Sequence, residues 1–488
     1  MNPTSHAIVI GGSIAGLLAA QAVADYFERV TIIERDRLPD GPLPRKGVPQ
    51  ASHIHILLAR GLQAIESLLP GISDQLAHDG ATPMQWGRDE HTYGFACWLP
   101  PFDGGPHGLL CSRDFLEFHV RQRVLARANV STLQAADVTH LEADADGWVR
   151  AVAAHHRDTG NDDAGSAGAT GTASAHRGDE VRCDFVIDAS GRTSRLPEWL
   201  EALGYDIPRQ TVINSFLGYA SRLYRPDDGY APPWKVLLVR DRDAAHAWGV
   251  GIYHIEGGLW QVNLGANGKC YPPIDDSGFA AFIRALPVPD ATEALSHAQP
   301  VSAINGYRRT ENRWQHYEKL ARMPHNIVAL GDSTCAFNPV YGQGMSVAAL
   351  GALGLKRLLG DGPVGSGFGL SFQKRLAKTI ATPWLMATSE DFRTRVTEGG
   401  KPSVLTKLTH RYFDRVMDAS VHKPELHRRF QEVFQLLQPP STLFAPSVML
   451  SALAPQPRAA STVRTSGSSP APVLARHAKP PETGVAGQ

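Results

Sequence analysis

Two short glycine-bearing stretches have the residue types and spacing of turns that bind anions. "VIGGSIAG" spans residues 9–16, and "GDSTCAFNPVYGQGMS" spans residues 331–346. Each follows an apolar run, "AIVI" in the first case and "NIVAL" in the second, which indicates a buried strand. A turn that leads from a strand into a helix presents backbone N–H groups and the positive end of the helix dipole to one point. The sequence therefore predicts two such turns, each at the end of a buried strand.

The first stretch has the order of elements that a dinucleotide-binding unit requires. Gly11 permits a tight turn, Ser13 stands where a second glycine is usual, and Gly16 allows the helix to approach the strand closely. Glu34 ends the next apolar run, eighteen residues after Gly16, where an acidic side chain can bind a ribose hydroxyl. Strand, helix, second strand and acidic residue together favour an adenine dinucleotide site over a plain helix-initiating turn. The predicted binding turn also includes Gly12 and Ala15.

The composition restricts the classes of protein and of partner. The chain has 488 residues, of which 43% are hydrophobic and 20% charged, as in a soluble globular protein of more than one lobe. Lys and Arg number 48 and Asp and Glu number 48, so no net charge favours nucleic acid as a partner. Five scattered cysteines without a CxxC pair argue against disulfides and a zinc site, and no metal is expected. With no apolar run of membrane-spanning length and no leader pattern, the expected location is the cytoplasm.

The periodicity of the apolar residues predicts two sheets, with helices between and after them. Residues 7–34 have the pattern of a strand, a turn, a helix over 17–29 and a second strand, and Ser112 is the predicted N-cap of a later helix. Residues 210–305 alternate and are rich in aromatic and β-branched residues, which is typical of an antiparallel sheet. A strand at 326–330 is predicted to return to the first lobe, and residues 370–437 are predicted to be mostly helical.

The later turn and a middle segment resemble motifs of a known family. "CDFVIDASGRTSRLPEWL" (183–200) and "NIVALGDSTCAFNPVYGQGMSVAALGALGL" (326–355) are similar to two motifs of the FAD-dependent aromatic hydroxylases and epoxidases. The resemblance implies that Asp332, after Gly331, binds the ribityl chain of FAD, and that a helix N-terminus faces the flavin. A helix dipole placed there stabilises the anionic reduced ring. The resemblance assigns further flavin contacts to Pro339, Gly342, Gln343, Gly344 and Met345.

The middle segment departs from the family pattern. Members usually have Ala-Asp-Gly there, whereas this chain has Ala189-Ser190-Gly191, with its acidic residue at Asp188. In relatives this segment touches FAD and, by proposal, the pyridine nucleotide. The electron source therefore stays open between NAD(P)H and a partner flavin reductase. Cys335 stands where a histidine is common in the family, and a small buried thiol is expected there.

A more specific resemblance covers roughly residues 7–395. "RKGVPQ", "HIHIL", "LLPG", "CSR", "FNPVYGQGMS" and "PWLMATSEDF" are similar, in the same order, to segments of the flavin-dependent olefin epoxidases of polyether polyketide biosynthesis. This likeness implies that Arg45 and Lys46 contact the FAD phosphates or the flavin edge, and that Arg113 contacts the FAD ribose or phosphates. The predicted FAD-binding residues are completed by Arg35, Val138, Ser190 and Gly191.

The resemblance implies an FAD-dependent monooxygenase. Reduced FAD would react with O2 to give a C4a-hydroperoxide, and one oxygen atom would pass, by epoxidation or hydroxylation, to an apolar secondary metabolite such as a polyketide, polyene or aromatic compound. No catalytic side chain is assigned, because the flavin carries the chemistry, and His53 and His55 are interpreted as structural. Residues 92–102 and 246–253 are rich in aromatic and small side chains, and either line the substrate site or belong to the core.

Three other functions stay open. Flavin-dependent halogenases share the FAD lobe, but "PPWKV" (232–236) does not match their Trp-x-Trp stretch. A prenyl or olefin reductase of the geranylgeranyl type would reduce a C=C bond instead of inserting oxygen. A non-catalytic FAD-binding partner protein is the third alternative, because the chain departs from the family at Ser190 and Cys335.

The predicted fold class is α/β, with a Rossmann-type FAD-binding lobe, a second antiparallel-sheet substrate lobe and C-terminal helices, similar to glutathione reductase and the aromatic hydroxylases. The predicted segments are the first part of the FAD lobe (1–205, with a polar insertion at 157–179), the substrate lobe (206–310), the second part of the FAD lobe (311–365), a helical region (366–453) and a disordered tail (454–488).

Overall fold

The computed structural model describes residues 5–94, 97–157, 179–242 and 247–454. The predicted polar insertion and tail lie outside these ranges, apart from residues at their ends. The strands are β1 (His6–Ile10), β2 (Arg29–Glu34), β3 (Thr82–Gln85), β4 (Glu90–Gly94), β5 (Cys97–Trp98), β6 (His107–Leu110), β7 (Val130–Gln134), β8 (Ala136–Ala143), β9 (Val149–His156), β10 (Asp179–Arg182), β11 (Phe185–Asp188), β12 (Gln210–Ile213), β13 (Gly218–Pro226), β14 (Val236–Arg242), β15 (Ala247–Ile255), β16 (Leu259–Ala266), β17 (Ala298–Pro300), β18 (Asn305–Tyr307), β19 (Asn312–Gln315), β20 (Ile327–Ala329) and β21 (Cys335–Ala336). The helices are α1 (Ile14–Val23), α2 (Ala59–Leu68), α3 (Ile72–Asp79), α4 (Arg113–Leu125), α5 (Leu196–Ala202), α6 (Asp276–Arg284), α7 (Asp290–Ser296), α8 (Gln343–Asp361), α9 (Phe368–Asp391), α10 (Val404–Ser420), α11 (Pro424–Phe434) and α12 (Pro446–Leu453).

A five-stranded parallel sheet, in the order β20–β11–β1–β2–β7, forms the centre of the first lobe. β1 is buried along its whole length and pairs with β2 and β11. α1 connects β1 to β2, as predicted, but it ends at Val23 and not at Arg29. The side-chain amide of Asn129 donates to the backbone oxygens of Ala24 (2.8 Å) and Phe27 (3.0 Å), so carbonyl groups after the helix find a long-range partner. Parallel pairing brings the carboxyl ends of β1, β11 and β20 to one edge of the sheet.

Both faces of the parallel sheet are covered. The antiparallel sheet β10–β9–β8 lies on one face, where Val138 and Val152 join one buried cluster with Ile8 and Val186. On the other face α1, α4 and α8 pack together through apolar side chains such as Leu17, Phe115 and Ala349. Layers of this kind bury near-continuous apolar strands, which explains why β1 and β11 contain few polar residues.

The second sheet has the order β17–β13–β16–β15–β14–β4–β5, with β18 also paired to β13. Its pairs are antiparallel except for β14–β4, so the antiparallel sheet predicted for residues 210–305 is confirmed. β4 and β5 come from the range predicted as the first part of the FAD lobe, and the boundary at 205 therefore does not separate the two sheets. One face of this sheet packs on α6 and α7 through Phe279, Phe282 and Ala291, and the other face packs on Ile54 and Ile56.

The region after the second turn is helical, as predicted. α8 packs between α1, α2 and α9. α11 contacts the second sheet: Gln431 donates to the Glu90 carboxylate (2.6 Å), and Nδ1 of His427 lies 3.0 Å from the backbone oxygen of Pro100. Within the part of the chain that the structure describes, no helix is both long and apolar enough to cross a membrane.

Candidate functional site

The two glycine turns, far apart in the sequence, lie against each other in the structure. Gly11, directly after β1, has φ +101°, and a Cβ there would lie 2.5 Å from the backbone oxygen of Ala189, which follows β11. Gly331, after β20, has φ +65°, and its Cβ would lie 2.6 Å from the Cβ of Ala15 in α1. A Cβ at Gly16 would overlap the backbone oxygen of Gly11. Only glycine fits these close approaches, and they join three strand ends into one site.

A buried cluster of charged side chains surrounds the start of α1. The Ser13 hydroxyl donates to Glu117 (2.8 Å) instead of capping its own helix. Arg113 donates to Ser13 Oγ (2.7 Å) and to Glu117 (2.8 Å), while its other terminal nitrogen, Nη1, is buried without a hydrogen-bond partner among the described residues. The N–H groups of α1 and one free guanidinium nitrogen therefore face the same region, as an anion site requires.

Arg45 is shared by three carboxylates. It lies 3.3 Å from Glu34, 2.9 Å from Asp36 and 2.9 Å from Glu117. Burial alone would raise the pKa of Glu117, but Arg113 and Arg45 outweigh burial and hold that pKa below its usual range. The sequence analysis did not single out Glu117, although its i,i+4 spacing from Arg113 was visible.

The predicted ribose ligand, Glu34, occupies the expected place at the end of β2. Its carboxylate is buried and accepts from the backbone N–H groups of Gly12 (2.6 Å) and Asp36 (2.9 Å). A contact between Glu34 and ribose stays a prediction. Among the other predicted contacts, Arg35 donates to the backbone oxygen of Gly47 (3.1 Å), and Lys46 is exposed.

The middle segment places its carboxylate inside the protein. Asp188 is fully buried and accepts from the backbone N–H of Ser190 (3.0 Å), the Ser190 hydroxyl (2.5 Å) and the Ser194 hydroxyl. Burial raises its pKa, and the serine hydrogen bonds oppose that shift. Gly191 donates to Ser333 Oγ (2.9 Å), which ties this segment to the second turn. The middle position of the Ala-Ser-Gly segment therefore carries a hydroxyl, and that hydroxyl is bound to Asp188.

At the second turn a partly exposed carboxylate lies beside an arginine. About a third (34%) of the Asp332 side chain is exposed, and its Oδ2 lies 3.6 Å from Nε of Arg192. Burial raises the pKa of Asp332, whereas Arg192 and Arg313 lower it. Arg192 also donates to the backbone oxygen of Phe337 (2.8 Å), so it fixes the start of the loop that leads to α8. Sequence reasoning did not assign a role to Arg192.

A network of neutral side chains around one carboxylate holds the loop before α8. Asp391 Oδ1 accepts from Asn338 (3.0 Å) and Tyr341 (2.7 Å), and Oδ2 accepts from Asn312 (2.6 Å). Asn312 in turn accepts from the backbone N–H of Asn338 (2.7 Å). Burial raises the pKa of Asp391 to about 6, although hydrogen bonds from Tyr341, Ser215 and Asn338 lower it. These residues come from β19, the loop itself and α9, and no local pattern indicated their meeting.

The loop ends in the predicted helix start. Gly342 has φ +65° and is the N-cap of α8, where Gly344 and Met345 lie in the first turn. Pro339 begins a short 3-10 helix that precedes Gly342. Met345 of the second turn lines one small cavity together with His55 and with Arg113 of α4, whose guanidinium also contacts Ser13 of the first turn. The Cys335 thiol is buried and its pKa raised by burial, which confirms the small buried thiol expected there.

The two aromatic stretches predicted to lie near a substrate divide between the faces of the second sheet. Tyr93, Trp98 and Trp248 pack on the cluster beneath α6 and α7 and so belong to the core side. Tyr253 lies on the opposite face, with Ile54 and Ile56. Alternate residues of a strand point to opposite faces, so Gly249 and Gly251 of β15 share the face of Tyr253. Some residues of both stretches lie outside the described part of the chain.

The described residues contain no group of His, Cys, Asp and Glu side chains arranged to hold a metal ion. Val138 lies on β8, in the cluster under the parallel sheet, and its predicted contact with FAD stays a prediction.

Comparison with known proteins gives one relative of similar sequence and several of similar fold. No protein-family model matches the chain. Protein Rv3254 of Mycobacterium tuberculosis (strain ATCC 25618 / H37Rv) is 32% identical over 458 residues, which cover 92% of this chain and 92% of the relative.

Two solved structures illustrate the likeness in fold. The flavin-dependent brominase Bmp2 has a TM-score of 0.60 at 13% identity, covering 88% of this chain and 94% of its own. The p-nitrophenol 4-monooxygenase PnpA from Pseudomonas putida DLL-E4 has a TM-score of 0.57 at 17% identity, covering 90% of this chain and 99% of its own. The predicted fold class is thereby confirmed, whereas the closer resemblance to olefin epoxidases stays a prediction. The chain therefore belongs to the family of Protein Rv3254 and has the fold of the flavin-dependent monooxygenases and halogenases.

Proposed function

We propose that the chain binds one FAD and, as an FAD-dependent monooxygenase, transfers one oxygen atom from O2 to a mostly apolar small molecule by epoxidation or hydroxylation. The observation that carries this proposal is the contact between the two glycine turns. Gly331 lies so close to Ala15 that a Cβ on Gly331 would be 2.6 Å from the Cβ of Ala15. One elongated ligand can therefore contact both turns, with a pyrophosphate at the first and a ring system at the second. The likeness in fold to an oxygenase and a flavin-dependent brominase supports the same ligand.

The residues at the turns fit FAD. Ser13 does not cap α1, and Nη1 of Arg113 is buried nearby without a partner among the described residues, so donors for a pyrophosphate are present. The exposed part of Asp332 leaves a carboxylate for ribityl hydroxyls. We assign the ring to the start of α8, at residues 342–345, where the helix dipole favours negative charge. Reduced FAD would supply the oxygen-activating chemistry.

The chain itself orients the ligands and excludes water. The network around Asp391 fixes the loop before α8, and Ile54 and Ile56 fill the space between this loop and the second sheet: a Cβ on Gly342 would lie 3.0 Å from the Cβ of Ile56. On the same sheet face, Gly249 pairs with Gly265; a Cβ on Gly249 would lie 2.4 Å from the backbone oxygen of Val239, and Tyr219 covers Gly265. Ile54, Ile56 and the aromatic side chains of this face favour a mostly apolar molecule and help to keep water away from the reacting atoms.

A halogenase is the second candidate function, because the brominase Bmp2 shares the fold. The "PPWKV" stretch (232–236) speaks against it, because it does not match the Trp-x-Trp stretch of the halogenases. Product analysis after turnover with and without bromide separates the two candidates: incorporation of halogen would favour a halogenase.

The proposal is tested first by the flavin itself. The purified protein should show the absorption spectrum of bound FAD, or acquire it when FAD is added. After anaerobic photoreduction, mixing with O2 in a stopped-flow instrument should give a transient spectrum that differs from both reduced and oxidised flavin. Reoxidation without any transient would favour a reductase, and no binding of FAD would refute the proposal.

The source of electrons needs a second experiment. We expect oxidation of NADH or NADPH by the holoprotein alone if the nucleotide reduces the flavin directly. If oxidation requires an added flavin reductase, a partner supplies the electrons. If the holoprotein shows no turnover with NAD(P)H alone or with an added flavin reductase, it is a non-catalytic FAD-binding partner.

A further inference from the structure

Exposed apolar side chains are concentrated in the C-terminal helices. Within the residues that the structure describes, thirteen large apolar side chains are exposed, and nine of these lie between residues 385 and 453. The three most exposed are Val404 (76%), Leu450 (75%) and Leu405 (73%), which lie at the start of α10 and in α12. Folded proteins usually expose such side chains singly, and a group of them marks an interaction surface.

The exposed side chains of α9 and α10 lie next to each other. Ser389 of α9 is 2.9 Å from His410 of α10, and these residues are 21 apart in the sequence. The pair Arg393–Asp414 (2.9 Å) has the same separation, so the two segments run side by side in the same direction. Leu385 precedes Ser389 by about one turn, on the side that faces α10. Its exposed side chain therefore lies level with the exposed start of α10.

The exposed apolar surface continues from α10 to α12. Tyr412 follows Leu408 by about one turn, and its ring stacks on that of Phe444 at 4.9 Å. Phe444 is itself exposed and stands two residues before α12, which packs on α10. α12 has the sequence "PSVMLSAL", without a charged residue, and exposes Leu450 and Leu453.

A row of basic side chains borders the exposed leucines of α10. Lys407, Arg411 and Arg415 are exposed and four residues apart, so they lie along one side of the helix. Within the described residues none of the three forms an ion pair, and Asp418 feels the charge of Arg415 without being paired to it. The carboxylate of Asp414 is bound by an arginine that follows α9. This surface is therefore basic, although the whole chain has no net charge.

The charge of this surface distinguishes between two kinds of partner. A helix that lies on a lipid bilayer places its apolar side chains at the boundary of headgroups and acyl chains, while neighbouring Lys and Arg bind anionic headgroups. A symmetric interface with a second copy would instead bring the same basic row close to itself, and like charges that face each other oppose association. The charge therefore favours a lipid surface over a second copy.

We propose that α10 and α12 bind the surface of a lipid bilayer that contains anionic headgroups. The leucines Leu405, Leu408 and Leu450 enter the boundary between headgroups and acyl chains, and the row that includes Lys407 and Arg411 binds headgroup phosphates. None of these residues belongs to the site assigned to FAD, so this proposal is independent of the proposed function.

Sedimentation of the full-length protein with vesicles tests the proposal. One set of vesicles is phosphatidylcholine alone, and the other contains about 30% phosphatidylglycerol, which provides anionic headgroups. We expect the wild type to bind the anionic vesicles about tenfold more tightly than the neutral ones, because each basic side chain near an anionic surface adds to the affinity. Added NaCl should weaken this preference, since salt screens exposed charges.

Two pairs of substitutions test the apolar contribution. Leu405→Ala with Leu450→Ala should lower the affinity for anionic vesicles about tenfold or more, because less apolar surface leaves water. Ile207→Ala with Ile274→Ala provides the control, since both side chains are exposed outside the C-terminal helices. This control should leave the affinity unchanged.

The basic row is tested in the same way. Lys407→Gln with Arg411→Gln should lower the affinity for anionic vesicles about tenfold and leave binding to neutral vesicles unchanged. Arg182→Gln with Arg284→Gln removes the same charge from exposed positions elsewhere and should have little effect. Circular dichroism melts show that each variant is folded, as expected for substitutions of exposed side chains.

Three results would overturn the proposal. The first is a wild type that binds neither kind of vesicle, the second is equal binding to both kinds, and the third is an equal loss in the test and control variants. Sedimentation velocity without lipid examines the other partner. A dimer that Leu405→Ala with Leu450→Ala dissociates, in a protein that binds no vesicles, would assign this surface to a second copy of the chain.

Discussion

The two glycine turns each follow a strand of the parallel sheet, but the side chains around them differ. Around the first, the arginines Arg45 and Arg113 face the carboxylates of Glu34, Asp36 and Glu117. Around the second, amide and hydroxyl groups meet the carboxylate of Asp391, and the carboxylate of Asp332 lies beside Arg192. A turn assigned to a pyrophosphate needs positively charged side chains that are already in position. A turn assigned to the flavin ring needs a loop with a fixed conformation. The glycines therefore allow the close backbone approach at both turns, and side chains from distant parts of the sequence decide which part of a ligand each turn can bind.

The two networks also predict opposite responses to pH. Ion pairing holds the pKa of Glu117 below its usual value of 4.5, so its contribution to stability is present above that value and is lost as the pH falls through the lowered folded-state pKa. Burial raises the pKa of Asp391 to about 6, above the unfolded value of 3.8. The contribution of Asp391 is therefore present in acid and is lost as the pH rises through about 6.

The largest expected effect comes from adding a side chain to the first glycine turn. Gly16→Ala places a Cβ on the backbone oxygen of Gly11, and we expect loss of FAD binding and a destabilisation above ~4 kcal/mol in urea unfolding. Gly354→Ala in α8 is the matched control, because its Cβ meets nothing within 4 Å, and it should stabilise the helix by up to about 1 kcal/mol. Equal stability of the two variants would show that the close approach at Gly16 is not required.

Removing the shared carboxylate tests the charged network. Glu117→Ala leaves Arg45 and Arg113 buried without their common partner, and we expect a loss of about 3–5 kcal/mol in unfolding free energy. Added FAD should restore part of this loss, since its phosphates replace the missing negative charge. Glu425→Ala breaks an exposed pair with Arg428 and should cost less than about 1 kcal/mol. A cost of that small size for Glu117→Ala would mean that the cluster is not electrostatically coupled.

The second network is tested through its pH dependence. Between about pH 4 and pH 6 the wild type should lose stability on the order of 3 kcal/mol through Asp391, because the folded protein favours the protonated carboxyl. Asp391→Asn cannot titrate and should remove this slope, at the cost of a lower stability at every pH. Chemical unfolding at half-unit pH intervals gives the comparison. Parallel curves for the two proteins would contradict the assignment to Asp391.

A smaller effect is expected from changing the geometry of one guanidinium. Arg113→Lys keeps the charge but loses the fork that reaches Ser13, Glu117 and a ligand together, so the dissociation constant of FAD should rise about 10- to 100-fold. Fluorescence titration with FAD measures the change. Arg357→Lys, on the exposed side of α8, provides the control and should leave FAD affinity unchanged. If both substitutions have the same effect, Arg113 does not contact the FAD phosphates.

Local sequence patterns predicted those parts of the site that depend on neighbouring residues. The turn at residues 11–16 after β1 and the helix start at Gly342 follow from strand, glycine and helix in order along the chain. The cap of α4 by Ser112 is another local feature, and its hydroxyl accepts from the N–H of Phe115 (3.1 Å) as predicted. In each case the physical cause lies within a few residues, so it can be read without the fold.

The residues that were missed have partners far away in the sequence. Asp391 meets Asn338 across 53 residues and Asn312 across 79, and the middle segment is tied to the second turn by the bond from Gly191 to Ser333 across 142 residues. His53 was interpreted as structural, but its contact with Ser221 could not be predicted, because "HIHI" only shows alternation. Which of the alternating residues meets Ser221 depends on a strand 168 residues later.

The sequence by itself determined that two buried strands end in glycine turns and that an antiparallel sheet lies between them, because hydrophobic period and glycine placement act locally. It did not determine that the turns touch, that Glu117 joins Arg45 to Arg113, or that β4 and β5 leave the first segment for the second sheet. Those features arise only when parallel pairing brings the ends of β1, β11 and β20 to one edge. Long-range contacts of this kind depend on how whole sheets and helices pair and pack, and no single stretch of the sequence contains that information.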